Sequence, residues 1–192
     1  MVEKNYHHIV CLYAILVREL GSYYSPRDVL RYSLLNLYKG EYIQLTDEND
    51  FKISDSGEKV LETRADPELI ELDYALLNVF SQMASKGTLN ISNLFQITNL
   101  YSCQSILKTS GYLEKPATGS LRRRCFMRLE ITSKYERALA LINENKEGNW
   151  DKFILSLIGF EPEYNIDIFV KKYINKIMED IQQSINFFSD SL

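Results

Sequence analysis

Residues 90–143 read NISNLFQITNLYSCQSILKTSGYLEKPATGSLRRRCFMRLEITSKYERALALIN. The order of signals along this stretch decides the fold. Ser92 to about Thr98 reads as a short helix. After a turn, Leu100 to about Ser110 reads as a second helix with Leu100, Cys103, Ile106 and Leu107 on one face. Gly111 stands where a helix-ending residue of positive φ belongs. Tyr112 and Leu113 open a strand, and Pro116 and Gly119 mark a loop. Cys125–Ile131 returns with Cys125, Met127, Leu129 and Ile131 on one face and Phe126, Arg128 and Glu130 on the other. Ser133, with Glu136 three residues on, has the pattern of a capping box and opens a further helix.

Helix, turn, helix, hairpin, helix is the order of elements in a winged helix. Through LKTSGYLEK (107–115), a basic hairpin tip and MRLEITSKYERAL (127–139), residues 66–145 resemble the winged-helix superfamily. The resemblance implies that fold, with DNA binding as its commonest use and protein binding as a frequent second. Fold alone does not settle function.

Upstream, Asp66 and Pro67 are expected to cap the helix that opens this unit, with Leu69, Leu72, Ala75, Leu76, Val79, Phe80 and Met83 inward. Residues 1–65 read as a diverged copy. An amphipathic helix over 5–20 carries Tyr6, Ile9, Val10, Tyr13, Leu16, Val17 and Leu20. Ser25 and Pro26 cap and start a second helix that stops at Gly40. A hairpin (Tyr42–Thr46, Phe51–Ser54) and a short helix through Val60 and Leu61 follow. KGEYIQL and FKISDSGEKVL stand to each other much as SGYLEK and RLEITSKYERAL do, so two winged-helix-like units in tandem are expected. Residues 21–41 leave room for only one good helix, and the first hairpin turn, Asp47 to Asp50, is acidic and would repel phosphate. The first unit is therefore expected to pack or recruit a protein partner.

Downstream, residues 146–192 form a C-terminal segment. A short helix at 151–159 precedes Pro162, and a long amphipathic helix runs from about Asp167 to Phe188. Its Val170, Ile174, Ile177, Ile181, Ile185 and Phe188 recur at steps of three and four. That stripe either packs on its own domain or forms a homodimer, and a dimer would call for a palindromic site. The expected class is mainly α with small β-hairpins.

With 45% hydrophobic and 25% charged residues, the 192-residue chain has an ordinary globular composition, and no apolar run nears the roughly 20 residues of a membrane span. Glu3 and Glu19 flank the apolar N-terminal stretch and no cleavage site follows, so no signal peptide is expected. Cys11, Cys103 and Cys125 are odd in number, far apart and on apolar faces. Free thiols in a reducing, cytoplasmic setting follow.

The net charge is −4, yet residues 100–137 hold eight Lys or Arg against three acids. Arg122, Arg123 and Arg124 at the hairpin tip and Arg128 beyond it suit phosphate or a minor groove, although a solvated basic loop has the same composition. On the helix before them Asn99, Tyr101, Ser102, Gln104, Ser105 and Lys108 face outward, types that reach adenine edges and phosphates. His7 and His8, adjacent and without clustered Cys or Asp, make a poor metal site. Tyr23, Tyr24 and Tyr38 suit a protein interface. There is no phosphate loop, nucleophile elbow or HExxH, so neither a cofactor nor catalysis is expected. Two functional readings follow. One is a cytoplasmic DNA-binding transcription regulator that docks residues 100–110 in the major groove of double-stranded DNA. The other is a scaffold subunit resembling the tandem winged helices of kleisin-interacting or membrane-sorting complexes.

Overall fold

The computed structural model describes residues 7–21, 24–46, 51–86, 97, 99–100, 102–115, 129–145, 149–157, 159 and 164–189. It is mostly helical, with two small antiparallel hairpins. Helix α1 (Ile9–Leu20) and helix α2 (Pro26–Lys39) precede strands β1 (Ile43–Leu45) and β2 (Phe51–Ile53), helix α3 (Asp55–Thr63) and helix α4 (Glu71–Lys86). Then come α5 (Cys103–Thr109), β3 (Leu113–Glu114), β4 (Glu130–Ile131), α6 (Ser133–Glu144), α7 (Trp150–Leu157) and α8 (Tyr164–Ser189).

Helix α2 starts as its sequence dictates: Ser25 accepts the Asp28 amide and Pro26 sits in the first turn. Helix α1 is not amphipathic. Every residue from Ile9 to Val17 is buried, because IVCLYAILV offers no polar side to solvent. Asp66 does not cap α4. Its carboxylate accepts the Glu68 amide in a separate turn, and Asp73, inside α4, accepts the Ile70 amide instead. Helix α6 is capped by Thr132, whose hydroxyl accepts the Tyr135 amide; the expected Ser133–Glu136 box is displaced by one residue. Helix α5 is shorter than expected, beginning at Cys103 with Ser102 as its cap.

The repeat is written in backbone hydrogen bonds. In the first unit Gly40 N donates to Asn36 O, Glu41 N to Tyr38 O, Tyr42 N to Leu37 O and Ser54 N to Tyr42 O. In the second, Ser110 N donates to Ile106 O, Gly111 N to Lys108 O, Tyr112 N to Leu107 O and Thr132 N to Tyr112 O. The register pairs Ile43 with Ile53 in one hairpin and Leu113 with Ile131 in the other. Glu41 therefore corresponds to Gly111, and both have positive φ, 60° and 73°. Gly40 corresponds to Ser110, which corrects the alignment of glycine on glycine. Ile131, expected on the inner face, is 47% exposed.

Packing crosses between the units. Helix α1 lies against α5 and α6 of the second unit as well as α2, while α4 lies against α2, β2 and α3 of the first. Each unit's leading helix thus fills the core of the other. The tyrosine after each α2 or α5 follows the same rule. Tyr42 donates its hydroxyl to Asp66, just before α4, and the Tyr112 hydroxyl lies 3.0 Å from His7 Nδ1, just before α1.

The C-terminal segment covers the first unit. Helix α8 packs on α2, and α7 on α1. Tyr173 stacks on Phe80 at 4.9 Å and meets Phe51 edge-on at 6.0 Å, and Arg27 donates to Asn175 at 2.6 Å. Val170, Ile174, Ile177 and Ile181 are all buried within the chain's own core, so of the two expected roles the stripe takes packing on its own chain. Ile185 and Phe188 belong to α8, but their side chains lie outside the described residues. No helix among the described residues is long and apolar enough to cross a membrane.

Candidate nucleic-acid interface

Helix α5 is fixed from behind. Ile106 and Leu107 are buried, Cys103 and Leu100 are half-buried against the core, and the cap from Ser102 satisfies the Ser105 amide at 3.2 Å. That leaves the other face free. Asn99, Ser102, Gln104 and Lys108 are exposed and Ser105 is half-buried. Of the expected site residues, Gln104, Ser105 and Lys108 lie on α5, Ser102 caps it, and Asn99 precedes it. Tyr101, Arg122, Arg123, Arg124 and Arg128 lie outside the described residues, as do the Ser92–Thr98 helix apart from Ile97, and Cys125.

The matching helix of the first unit shows what this face would look like if it were packed. By the hairpin register, Gln104 corresponds to Leu34 and Ser105 to Leu35, both fully buried, and Lys108 to Tyr38, half-buried edge-on against Phe51 at 6.0 Å. Ser102 corresponds to Tyr32, which is buried and donates to Asp151 of α7 at 2.7 Å. Burial and that carboxylate together push the Tyr32 phenol well above its usual range. At the same register, α2 carries buried or half-buried side chains, with α8 packed on the helix and Asp151 of α7 bonded to Tyr32, whereas α5 carries exposed Gln104 and Lys108 and half-buried Ser105. Tyr24 and Tyr38 are partly buried against the core, and Tyr23 lies outside the described residues.

Beside α5, Lys134 of α6 donates to Ser110 O at 3.1 Å and lies 4.5 Å from the Tyr112 ring centroid. His7, held by Tyr112, has its pKa lowered by burial first and then by the charges of Lys134 and Arg137.

The sequence reading missed a buried polar clamp. His8 Nδ1 accepts the Val10 amide at 3.2 Å and so caps α1, while Nε2 lies 2.7 Å from Asp73 Oδ2. Ser33 donates to the other Asp73 oxygen, and Asn36 Nδ2 lies 3.2 Å from His8 Nε2. All four are buried, and they tie α1, α2 and α4 together. Burial pushes the pKa of His8 down and the Asp73 carboxylate pushes it up; with Nδ1 accepting the Val10 amide, the ring is the neutral tautomer whose Nε2–H donates to Asp73. Asp73 binds both Ser33 and His8, so the histidine does not bridge serine and carboxylate as a nucleophile-activating relay requires. The sequence signal was present: Ser33 and Asn36, three apart, and Asp73 all interrupt apolar runs.

No family model, curated protein or solved structure matches the chain.

Proposed function

We infer that the chain is a non-enzymatic, winged-helix, double-stranded-DNA-binding regulator resident in the cytoplasm. Helix α5 is the element presented to the major groove, and Arg122 to Arg124, between β3 and β4 in sequence, reach the flanking backbone. The observation that carries this reading is the contrast between α5 and α2. The positions of Leu34 and Leu35, buried in the first copy, are held in the second by exposed Gln104 and half-buried Ser105, and half-buried Tyr38 is matched by exposed Lys108. A helix face kept free of apolar side chains suits a hydrated, polar groove, where Gln104 and Asn99 match adenine edges and Lys108 a phosphate. Arg122 to Arg124 fall between β3 and β4 in sequence, and the residues between β1 and β2 in sequence, Asp47 to Asp50, are acidic. One DNA-contacting face per chain follows, with no requirement for a palindrome through α8.

The test is fluorescence anisotropy of a labelled random-sequence duplex at several salt concentrations. The wild type is expected to bind, and four phosphate contacts would cost it roughly 100-fold in affinity between 50 and 200 mM salt. The triple variant Arg122→Glu, Arg123→Glu, Arg124→Glu is expected to lose that binding. Absence of binding at low salt would overturn the reading.

A further inference from the structure

The two tyrosine joints between the units differ in the group that meets the phenol. In the first unit the Tyr42 hydroxyl donates to the Asp66 carboxylate just before α4. In the second, fully buried Tyr112 meets His7 just before α1, with Nδ1 3.0 Å from the hydroxyl and the ring centroids 6.0 Å apart. An imidazole is the side chain whose ordinary titration lies near neutral pH. His7 is half-buried, and the charges that act on it, Lys134 and Arg137 of α6, are both positive. Lys134 Nζ also lies 4.5 Å from the centroid of the same Tyr112 ring and donates to Ser110 O at 3.1 Å, at the end of α5. Helix α1 brings no acid in its first turn, and the nearby ionisable groups are engaged elsewhere: Glu71 is 3.3 Å from Arg64, and His8 is 2.7 Å from Asp73. Among the described residues His7 makes no ion pair with a carboxylate.

We propose that this joint is an acid-sensitive latch: a proton on His7 sets two cations against one tyrosine, releases His7 from Tyr112 and loosens the turn between α5 and β3. Tyr112 is the residue through which release reaches α5. Its amide donates to Leu107 O at 2.8 Å, and its carbonyl accepts the Thr132 amide at 3.1 Å. Burial, and then the charges of Lys134 and Arg137, hold the pKa of His7 below its ordinary value, so the latch is shut at neutral pH. Once released into water, His7 titrates at about 6.5 and takes up a proton more readily than it does in the joint. Falling pH therefore draws the equilibrium toward the open joint. A change in DNA affinity is a consequence that rests on the DNA reading. The latch itself does not.

The test follows the full ¹³C,¹⁵N-labelled chain by NMR from pH 7.5 to 5, without DNA. The His7 ring is expected to titrate with a midpoint below about 6.5. Through that midpoint the Tyr112 and Thr132 amides are expected to lose protection from hydrogen exchange severalfold, after correction for intrinsic rates, while the α2 amides keep theirs. His7→Gln is expected to abolish the loss. Lys134→Met is expected to raise the His7 midpoint, and Lys134→Arg, which keeps the charge, to leave it near the wild-type value. A His7 midpoint at or above 6.5, protection that does not follow it, or the same loss in His7→Gln would overturn the proposal. An unmoved midpoint in Lys134→Met would do so too, and parallel loss in α2 would mean global unfolding in place of a latch. DNA anisotropy is measured separately, so failure of the latch and failure of the DNA reading are distinguishable.

Discussion

Asp73 is fully buried and holds three partners from three places in the chain: His8, Ser33 and the Ile70 amide. Removing it as Asp73→Ala leaves His8, Ser33 and the Ile70 amide without their buried acceptor, and a loss of about 3 kcal/mol or more in urea unfolding is expected. His7 has a lowered folded pKa, so its contribution to stability is full above the unfolded value of about 6.5 and is lost as pH falls through the folded value. Unfolding free energy measured from pH 7 down to pH 5 is expected to fall more steeply for the wild type than for His7→Gln, and equal slopes would remove His7 as a source. At this scale the local rules were legible: the cap at Ser25 and the positive φ at Gly111 follow from residue type alone. The clamp was not, because its members lie up to 65 residues apart and each looks like an ordinary polar interruption.

At the scale of elements, the two helix–hairpin junctions share a hydrogen-bond plan but not their residues. Glu41 occupies the left-handed region at φ 60°, where its counterpart is a glycine. Glu41→Gly is expected to be neutral or stabilising by up to about 1 kcal/mol, whereas Gly111→Ala destabilises by about 1 kcal/mol. Thermal melts check both, and the same sign for the two would contradict the equivalence. The cap of α6 gives a second comparison: Thr132→Ala is expected to cost about 1 kcal/mol and Ser133→Ala only a few tenths. The sequence placed that cap one residue late for a physical reason. Both residues are good caps, and what decides is the hairpin. Thr132 N donates to Tyr112 O at 3.1 Å, which holds residue 132 in extended backbone, and a cap must be extended. Helix α1 illustrates the converse. A stripe was read into it, yet nine successive nonpolar residues have no polar face to show.

For the molecule as a whole, the sequence divides into consecutive units, and the packing does not respect the division. Helix α1 serves the second unit's core and α4 the first's. Apolar spacing tells a helix that it must be covered, not by what, so this exchange was invisible to periodicity. The same ambiguity attended α8, whose stripe is equally suited to a second copy and to α2; the structure covers it with the chain's own core. Residues 66–145 expressed alone are expected to lack a cooperative thermal transition, because α5 and α6 lose α1. Adding residues 1–65 in trans is expected to restore part of it. A sharp melt for the isolated fragment would contradict the exchange.

The most direct measurement compares charge reversal at the open helix with reversal on the first unit. Lys108→Glu and Lys39→Glu are both exposed changes of equal charge, one on the open face of α5 and one at the end of α2. In salt titrations of duplex binding, Lys108→Glu is expected to weaken affinity about tenfold and to lower the salt slope by about one, while Lys39→Glu leaves both near the wild-type values. Equal losses for the two variants would mean that binding follows net charge alone, and that α5 is not the contact.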